Sequence, residues 1–353
     1  MLWGIVVCLA GGLLSMYLGS LQSVIGGPMI GLFLGIILCN VLPASALGRT
    51  RSGAKFSSKY LLKLGIILAG GTLSFSVIIG VGRSSLGISV FNICLAFAAA
   101  LVIGRLIRLP RNTSLLVGGG TSICGGTAIA TLAPIVEADE DEIAYAMTAI
   151  FLFDIFAALM WPYAAQSMGL SPEQYGILGG LAINDTSSVT AAGATFDNLM
   201  GPAAWTTING EAVSAGDIAV IIKLTRTVLL VFVALAVMLV KIYSSGKERS
   251  ASAGNVSLGR RLAKAFPLFV LGFLLLAVLN TLADFSTISI GPLTLSQMLS
   301  KGSKYFIAAA LVGVGYNIKF RDLFTKGVKP VLLGGCTWVC TAASTLLYLF
   351  LFT

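Results

Sequence analysis

The sequence predicts an all-α polytopic membrane protein, and three observations carry that prediction. Of the 353 residues, 57% are hydrophobic and only 10% are charged, where soluble domains carry about 25% charged residues. The mean hydropathy is +0.95, so polar side chains are too few to cover a water-facing surface. The apolar residues fall in about eleven stretches, most of them close to the roughly 20 residues that span a ~30 Å hydrocarbon core. The chain contains no His, which excludes His–metal sites, Ser–His and Cys–His nucleophile pairs and haem ligation through His.

In order, the candidate spans are 2–18, 27–42, 61–81, 84–104, 112–136, 142–165, 174–195, 217–240, 265–283, 304–318 and 328–352. Allowing for the short ones, ten or eleven transmembrane helices are expected. The first stretch lacks a cationic leader and a small-residue cleavage site, so it reads as a retained helix and not a signal peptide. Residues 242–264, rich in Ser, Gly, Lys and Arg, read as an exposed cytoplasmic linker. Trp161 and Tyr163 read as interfacial anchors. The six cysteines lie in apolar stretches with no CxxC pair, which points to reduced, buried thiols without a disulfide framework or zinc site.

The charges segregate. Arg49, Arg51, Lys55 and Lys59, then Arg105, Arg108 and Arg111, then Lys241, Lys247, Arg249, Arg260, Arg261 and Lys264, and finally Lys319, Arg321, Lys326 and Lys329 all follow even-numbered spans. They make up 17 of the 23 basic residues. Nine of the 14 acids, among them the run Glu137–Glu142 with Asp197, Glu211, Asp217 and Asp284, fall on the other side. The net charge of +9 is therefore read as a topology signal and not as a nucleic-acid footprint. The N-terminus and the C-terminus are both expected outside, in the periplasm.

A shift of 245 residues aligns Ser58, Lys59, Tyr60, Gly70, Phe75 and Gly82 with Ser303, Lys304, Tyr305, Gly315, Phe320 and Gly327, six identities in 25 positions. The copies begin spans three and ten, which cross in opposite directions, as in the inverted repeats of secondary transporters. Chance similarity is the alternative, since Gly and Ser are common here. The whole chain, 1–353, then forms one transporter domain. It has repeat-like segments at 58–104 and 303–352, a core with broken helices over 112–240, and the linker at 242–264.

Two spans are poor helices. Span five carries five glycines between 118 and 126, each costing about 1 kcal/mol inside a helix relative to Ala. Span seven carries the polar run Asn184-Asp-Thr-Ser-Ser188. Both read as discontinuous helices, whose unwound backbone lipid tolerates only inside protein or along a watery cavity. Freed N–H groups there suit anions and freed carbonyls suit cations. The alternative is that the glycines serve close helix packing. Ser122, Cys124, Asp154, Asn184, Asp185 and Arg226 fall near mid-span, with Lys223 about 8 Å from its helix midpoint at about 1.5 Å per residue.

Charges at that depth mark a functional site by default. Lys223 and Arg226, three apart, share a helix face. They could pair with Asp154 and Asp185 as a structural cluster, or one carboxylate could exchange a proton in each transport cycle. A transporter is expected over an enzyme, since no catalytic constellation, metal site or cofactor motif is present.

Three ordered segments, Gly120-Thr-Ser-Ile-Cys-Gly-Gly-Thr-Ala-Ile129, Ala182-Ile-Asn-Asp-Thr-Ser-Ser-Val189 and Lys223-Leu-Thr-Arg-Thr227, resemble the hallmarks of the YeiH-like family of bacterial inner-membrane proteins named as sulfate exporters. The family is distantly similar to bile-acid/sodium symporters and cation/proton antiporters, with inverted repeats and two crossed, broken helices. The resemblance implies that Thr121, Ser122, Cys124, Gly125 and Gly126 line one crossing point, and Asn184, Asp185, Thr186 and Ser187 the other. Asn184 stands where the family pattern often has His.

The expected function is proton- or ion-coupled export of sulfate or a related sulfur oxyanion or sulfonate. Lys223 and Arg226 would hold the anion, with Asp185 and Asp154 as coupling or gating carboxylates. A bundle of spans five to eight would move against a panel of spans three, four, ten and eleven. The alternative is a Na⁺(K⁺)/H⁺ antiporter using Asp185 and Asp154. The partners to expect are the anion, H⁺ or Na⁺, the bilayer and a second copy of the chain, with no nucleic acid.

Overall fold

The computed structural model describes residues 1–21, 27–244, 268–317 and 328–352. Thirteen α-helices occur among them. They are α1 (Leu2–Ser20), α2 (Gly27–Val41), α3 (Ala44–Gly70), α4 (Phe75–Leu106), α5 (Arg111–Ser122), α6 (Gly126–Val136), α7 (Glu140–Ser167), α8 (Pro172–Ala182), α9 (Thr186–Met200), α10 (Ala215–Ser244), α11 (Leu268–Ala283), α12 (Leu295–Gly315) and α13 (Val328–Phe352). The described strands form two short antiparallel hairpins, β1 (Trp205–Ile208) with β2 (Glu211–Ser214) and β3 (Ser289–Ile290) with β4 (Leu293–Thr294).

The two glycine- and polar-rich spans break where the sequence is weakest, and then they fold back. Helix α5 has 12 residues and α6 has 11. At about 1.5 Å per residue, neither crosses a ~30 Å core. Between them Gly125 takes φ +63° and ψ −125°, a conformation open essentially to glycine alone. The halves then pack side by side: a Cβ on Gly119 would lie 2.3 Å from Leu132 Cδ1, so the leucine side chain of the return helix occupies the space a larger residue would need. Helices α8 and α9 fold back in the same way, with Tyr175 stacked on Phe196 at 3.7 Å between ring centroids.

Each hairpin enters and leaves on one face. Asn112 Nδ2 at the start of α5 donates to Glu142 Oε2 (3.2 Å) in the first turn of α7, and Lys241 at the end of α10 pairs with Glu137 (3.0 Å) just past α6. This basic face also holds Arg105, Arg108 and Arg111. On the opposite face Thr206 Oγ1 in β1 donates to Glu173 Oε1 in α8 (3.0 Å), and Asn209 Nδ2 donates to Ser76 O at the start of α4 (3.1 Å). Both β-hairpins lie there, and we call it the β face.

Four expectations are corrected by this geometry. Spans 112–136 and 174–195 are re-entrant hairpins and not crossings; among the described residues five helices, α1, α4, α7, α10 and α13, are long and apolar enough to cross a membrane. The acidic run 137–142 lies on the basic face, not opposite it. The termini lie on opposite faces, as any odd number of crossings requires, and not both outside. Gly4 of α1 abuts Thr50 and Gly53 near the start of α3, and α13 passes Gly104 with Leu333 before it reaches Asn92 with Thr345. Finally, α3 ends at Gly70 and α4 starts at Phe75, its N-cap Ser74 accepting from Val77 N, so the break falls before the expected 82–83.

The helices form two bundles. Helix α12 packs on α1, α2 and α3, with α11 on α3. The second bundle holds α4–α10 and α13. Spans four and eleven therefore pack with the hairpins and not in the panel expected to hold them. The expected repeat pairs α3 with α12 and α4 with α13. Both pairs pack antiparallel: Ser303 Oγ donates to Gly65 O (2.7 Å), and Ser344 Oγ donates to Asn92 Oδ1 (2.6 Å). Cys8, Cys39 and Cys124 are buried, whereas Cys94 is exposed. Trp161 is buried against Trp338 and is not an interfacial anchor. Of the expected linker 242–264, residues 242–244 belong to α10; the rest of it, with the basic residues from Lys247 to Lys264 and from Lys319 to Lys326, lies outside the described residues.

Candidate functional site

The two hairpin tips meet inside the second bundle. A Cβ placed on Gly125 would lie 3.3 Å from Asp185 Cβ and 3.5 Å from its Oδ1. The expected site residues Thr121, Ser122, Cys124, Gly125 and Gly126 sit at the first tip, and Asn184, Asp185, Thr186 and Ser187 at the second. All but Gly126 and Asp185 are buried, and these two are partly exposed; Thr127, next along α6, is exposed.

Helix ends organise the charges. The carbonyls that close α8 have lost their helical partners and are taken up by side chains from outside the hairpin. Arg226 Nη1 donates to Gly180 O (3.2 Å) and Leu181 O (2.6 Å), Trp338 Nε1 to Ala182 O (2.8 Å) and Lys223 Nζ to Ile183 O (2.7 Å). Arg226 Nη2 also donates to Ser122 O at the end of α5. One fully buried guanidinium thus ties together the negative ends of both re-entrant helices, which favour a cation.

The carboxylates take the positive ends. Asp185 is the N-cap of α9, its Oδ2 accepting from Ser187 N (2.9 Å) and from Ser187 Oγ. Asp154 on α7 accepts the Asp185 N–H at Oδ1 (2.7 Å) and Ser188 Oγ at Oδ2. No ion pair joins Lys223 or Arg226 to Asp154 or Asp185 among the described residues. The cluster is neutral in sum, but each charge answers a helix end and not an opposite side chain.

The carboxylates are supplied with donors while several donors lack acceptors. Thr121 Oγ1, Asn184 Nδ2 and Arg226 Nε are buried without a hydrogen-bond partner, three of eight such atoms among the described residues. Buried polar groups are normally paired, so a concentration at one junction marks a place for an acceptor. Helix α6 adds to it, since its N-cap Gly125 offers no side-chain cap.

Sequence reading missed Trp338 and Ser188 as site members. Trp338 lies ten residues into α13, and a Trp that far from a span's end was the available signal. Ser188 stood within the polar run already singled out.

Residues 3–334 match the family described as "Conserved hypothetical protein 698". The chain is similar to a UPF0324 membrane protein of Fusobacterium nucleatum, with 35% identity over 345 residues covering 96% of this chain and 94% of the relative. It is similar to a UPF0324 membrane protein of Streptococcus pyogenes at 37% over 337 residues, covering 95% and 93%. The UPF0324 membrane protein of Streptococcus mutans is 34% identical over 336 residues, again covering 95% and 93%.

Proposed function

We propose that this chain, which belongs to the UPF0324 membrane-protein family, is a secondary carrier of a small anion and not an enzyme. The YeiH-like family suggested by the three motifs is the same family. The cargo we favour is sulfate or a related sulfur oxyanion or sulfonate, moved across the bacterial inner (plasma) membrane and coupled to protons or another ion.

One observation carries the choice of an anion: at the hairpin tips the buried side-chain atoms left over are Thr121 Oγ1, Asn184 Nδ2 and Arg226 Nε, while Asp154 and Asp185 already accept hydrogen bonds. An oxyanion supplies acceptors for those donors and for the uncapped N–H groups of α6. In this reading Lys223 and Arg226 hold the tips in register and contribute positive potential. Asp185 lies against the α6 N-terminus, the place an arriving anion needs, and so serves as the gating carboxylate. Asp154 holds Asp185 through its N–H.

The antiparallel pairs α3/α12 and α4/α13 support an inverted repeat whose second copy is permuted in the chain, with each hairpin entering from its own face. Such folds move one bundle against the other around a central site. Arg49, Arg51, Arg105, Arg108, Arg111, Lys241 and Lys329 lie at or near helix ends on the basic face, and the sequence segments that follow α10 and α12 carry eight more basic residues, so the positive-inside rule makes that face cytoplasmic. The N-terminus is then inside and the C-terminus outside.

Asp185→Asn tests the assignment. Coupled anion flux disappears while the protein still inserts and purifies; wild-type flux from that variant overturns the role given to Asp185.

A further inference from the structure

A cavity of about 670 Å³ lies between the two bundles toward the β face. Its hairpin-side wall carries Asp197 near the end of α9 and Asp217 in the first turn of α10, and its opposite wall carries Lys304 of α12. None of these three belongs to the hairpin-tip site.

Both carboxylates are held in place from their own side. Asp197 Oδ1 accepts from Gly216 N (3.0 Å), and Asp217 Oδ2 accepts from Ser214 Oγ (3.0 Å). Lys304 lies within electrostatic reach of both, yet no ion pair links it to either among the described residues. A lysine and two carboxyl groups are thus mounted on different bundles and face one another across open space. Coulomb attraction across such a space strengthens as the walls approach and water leaves.

We propose that Lys304, Asp197 and Asp217 form a β-face gate, which shuts when the bundles close the cavity and bring the lysine against the carboxylates. The gate rests on the alternating-access reading above. Helix α9 links it to the tip: Asp185 caps its start, and Asp197 follows twelve residues later, about 18 Å along a rigid helix. A shift of the hairpin at the tip therefore moves the Asp197 side of the gate directly.

The test uses the full-length protein in liposomes, with the exposed Cys94 changed to Ser. Lys304→Cys is combined with Asp197→Cys and, separately, with Asp217→Cys, and each pair is oxidised. A disulfide needs the two Cα atoms within about 7 Å, so its formation reports closure whatever the cargo is. We expect a cross-link in at least one pair. Where sulfate flux is measurable, we expect it to fall at least tenfold on oxidation and return on reduction.

As a second reading, Lys304→Asp lowers flux about tenfold and Lys304→Asp with Asp217→Lys recovers at least half of it. Absence of cross-linking in both pairs, or wild-type flux from Lys304→Asp, overturns the gate. Cross-linking without any anion flux keeps the gate and counts instead against the proposed cargo.

Discussion

Arg226 and Lys223 direct their hydrogen bonds to backbone carbonyls, and this arrangement sets what each can do. A guanidinium forks to several acceptors at once, which an ammonium cannot, and Arg226 uses the fork to join Ser122 of one hairpin to Gly180 and Leu181 of the other. Arg226→Met removes these charge-assisted bonds and leaves the carbonyls buried without partners. A loss of about 1.5–3 kcal/mol is expected, read as a lower midpoint of thermal unfolding in detergent; Arg226→Lys should fall between it and the wild type. An unchanged midpoint for Arg226→Met would show that the staple carries no weight. The intramembrane charges were legible in the sequence because charge at mid-span is costly. Their partners were not, since every residue has a carbonyl and composition does not mark which ones are orphaned.

Re-entrant hairpins are the elements that position the site. The breaks at 123–125 and 183–185 were legible from the glycine run and from Asn184-Asp-Thr-Ser-Ser188. The fold-back was not, because a span of 25 apolar residues and two helices of half that length have the same hydropathy. What distinguishes them is contact between halves, Leu132 on Gly119 and Phe196 on Tyr175, which no local pattern records. Both explanations weighed for the glycines apply: Gly125 takes a backbone conformation that breaks the helix, and Gly119 leaves room for the Leu132 side chain of the return helix. Gly125→Ala places a Cβ in a glycine-only region of backbone space, against Asp185. A cost on the order of 1–3 kcal/mol is expected, with anion flux reduced more than the amount of inserted protein. Transport per inserted molecule equal to wild type would contradict the placement of Gly125 at the tip junction.

At the scale of the molecule, replacing two crossings by two hairpins leaves the basic segments on one face and moves the acidic run 137–142 to join them. That run was assigned to the wrong face because a crossing was counted where the chain turns back. The basic segments survived the error because each hairpin replaces one crossing and the two compensate in parity beyond α9. Labelling of single cysteines by a membrane-impermeant maleimide distinguishes the two topologies. Glu137→Cys and Lys329→Cys should react from one side and Glu211→Cys from the other. Reaction of Glu137→Cys from the Glu211 side would restore the eleven-span arrangement.

The central claim is that the junction of the hairpin tips carries a small anion. It is tested most directly by flux of radiolabelled sulfate, with sulfite and a small sulfonate alongside, into proteoliposomes holding the purified protein, with and without an imposed pH gradient. Saturable uptake of at least one of these anions that responds to the gradient and vanishes in Asp185→Asn is the predicted result. No uptake of any of them, together with Na⁺- or K⁺-dependent proton movement that Asp185→Asn abolishes in the same vesicles, would contradict it and make the chain a cation/proton antiporter.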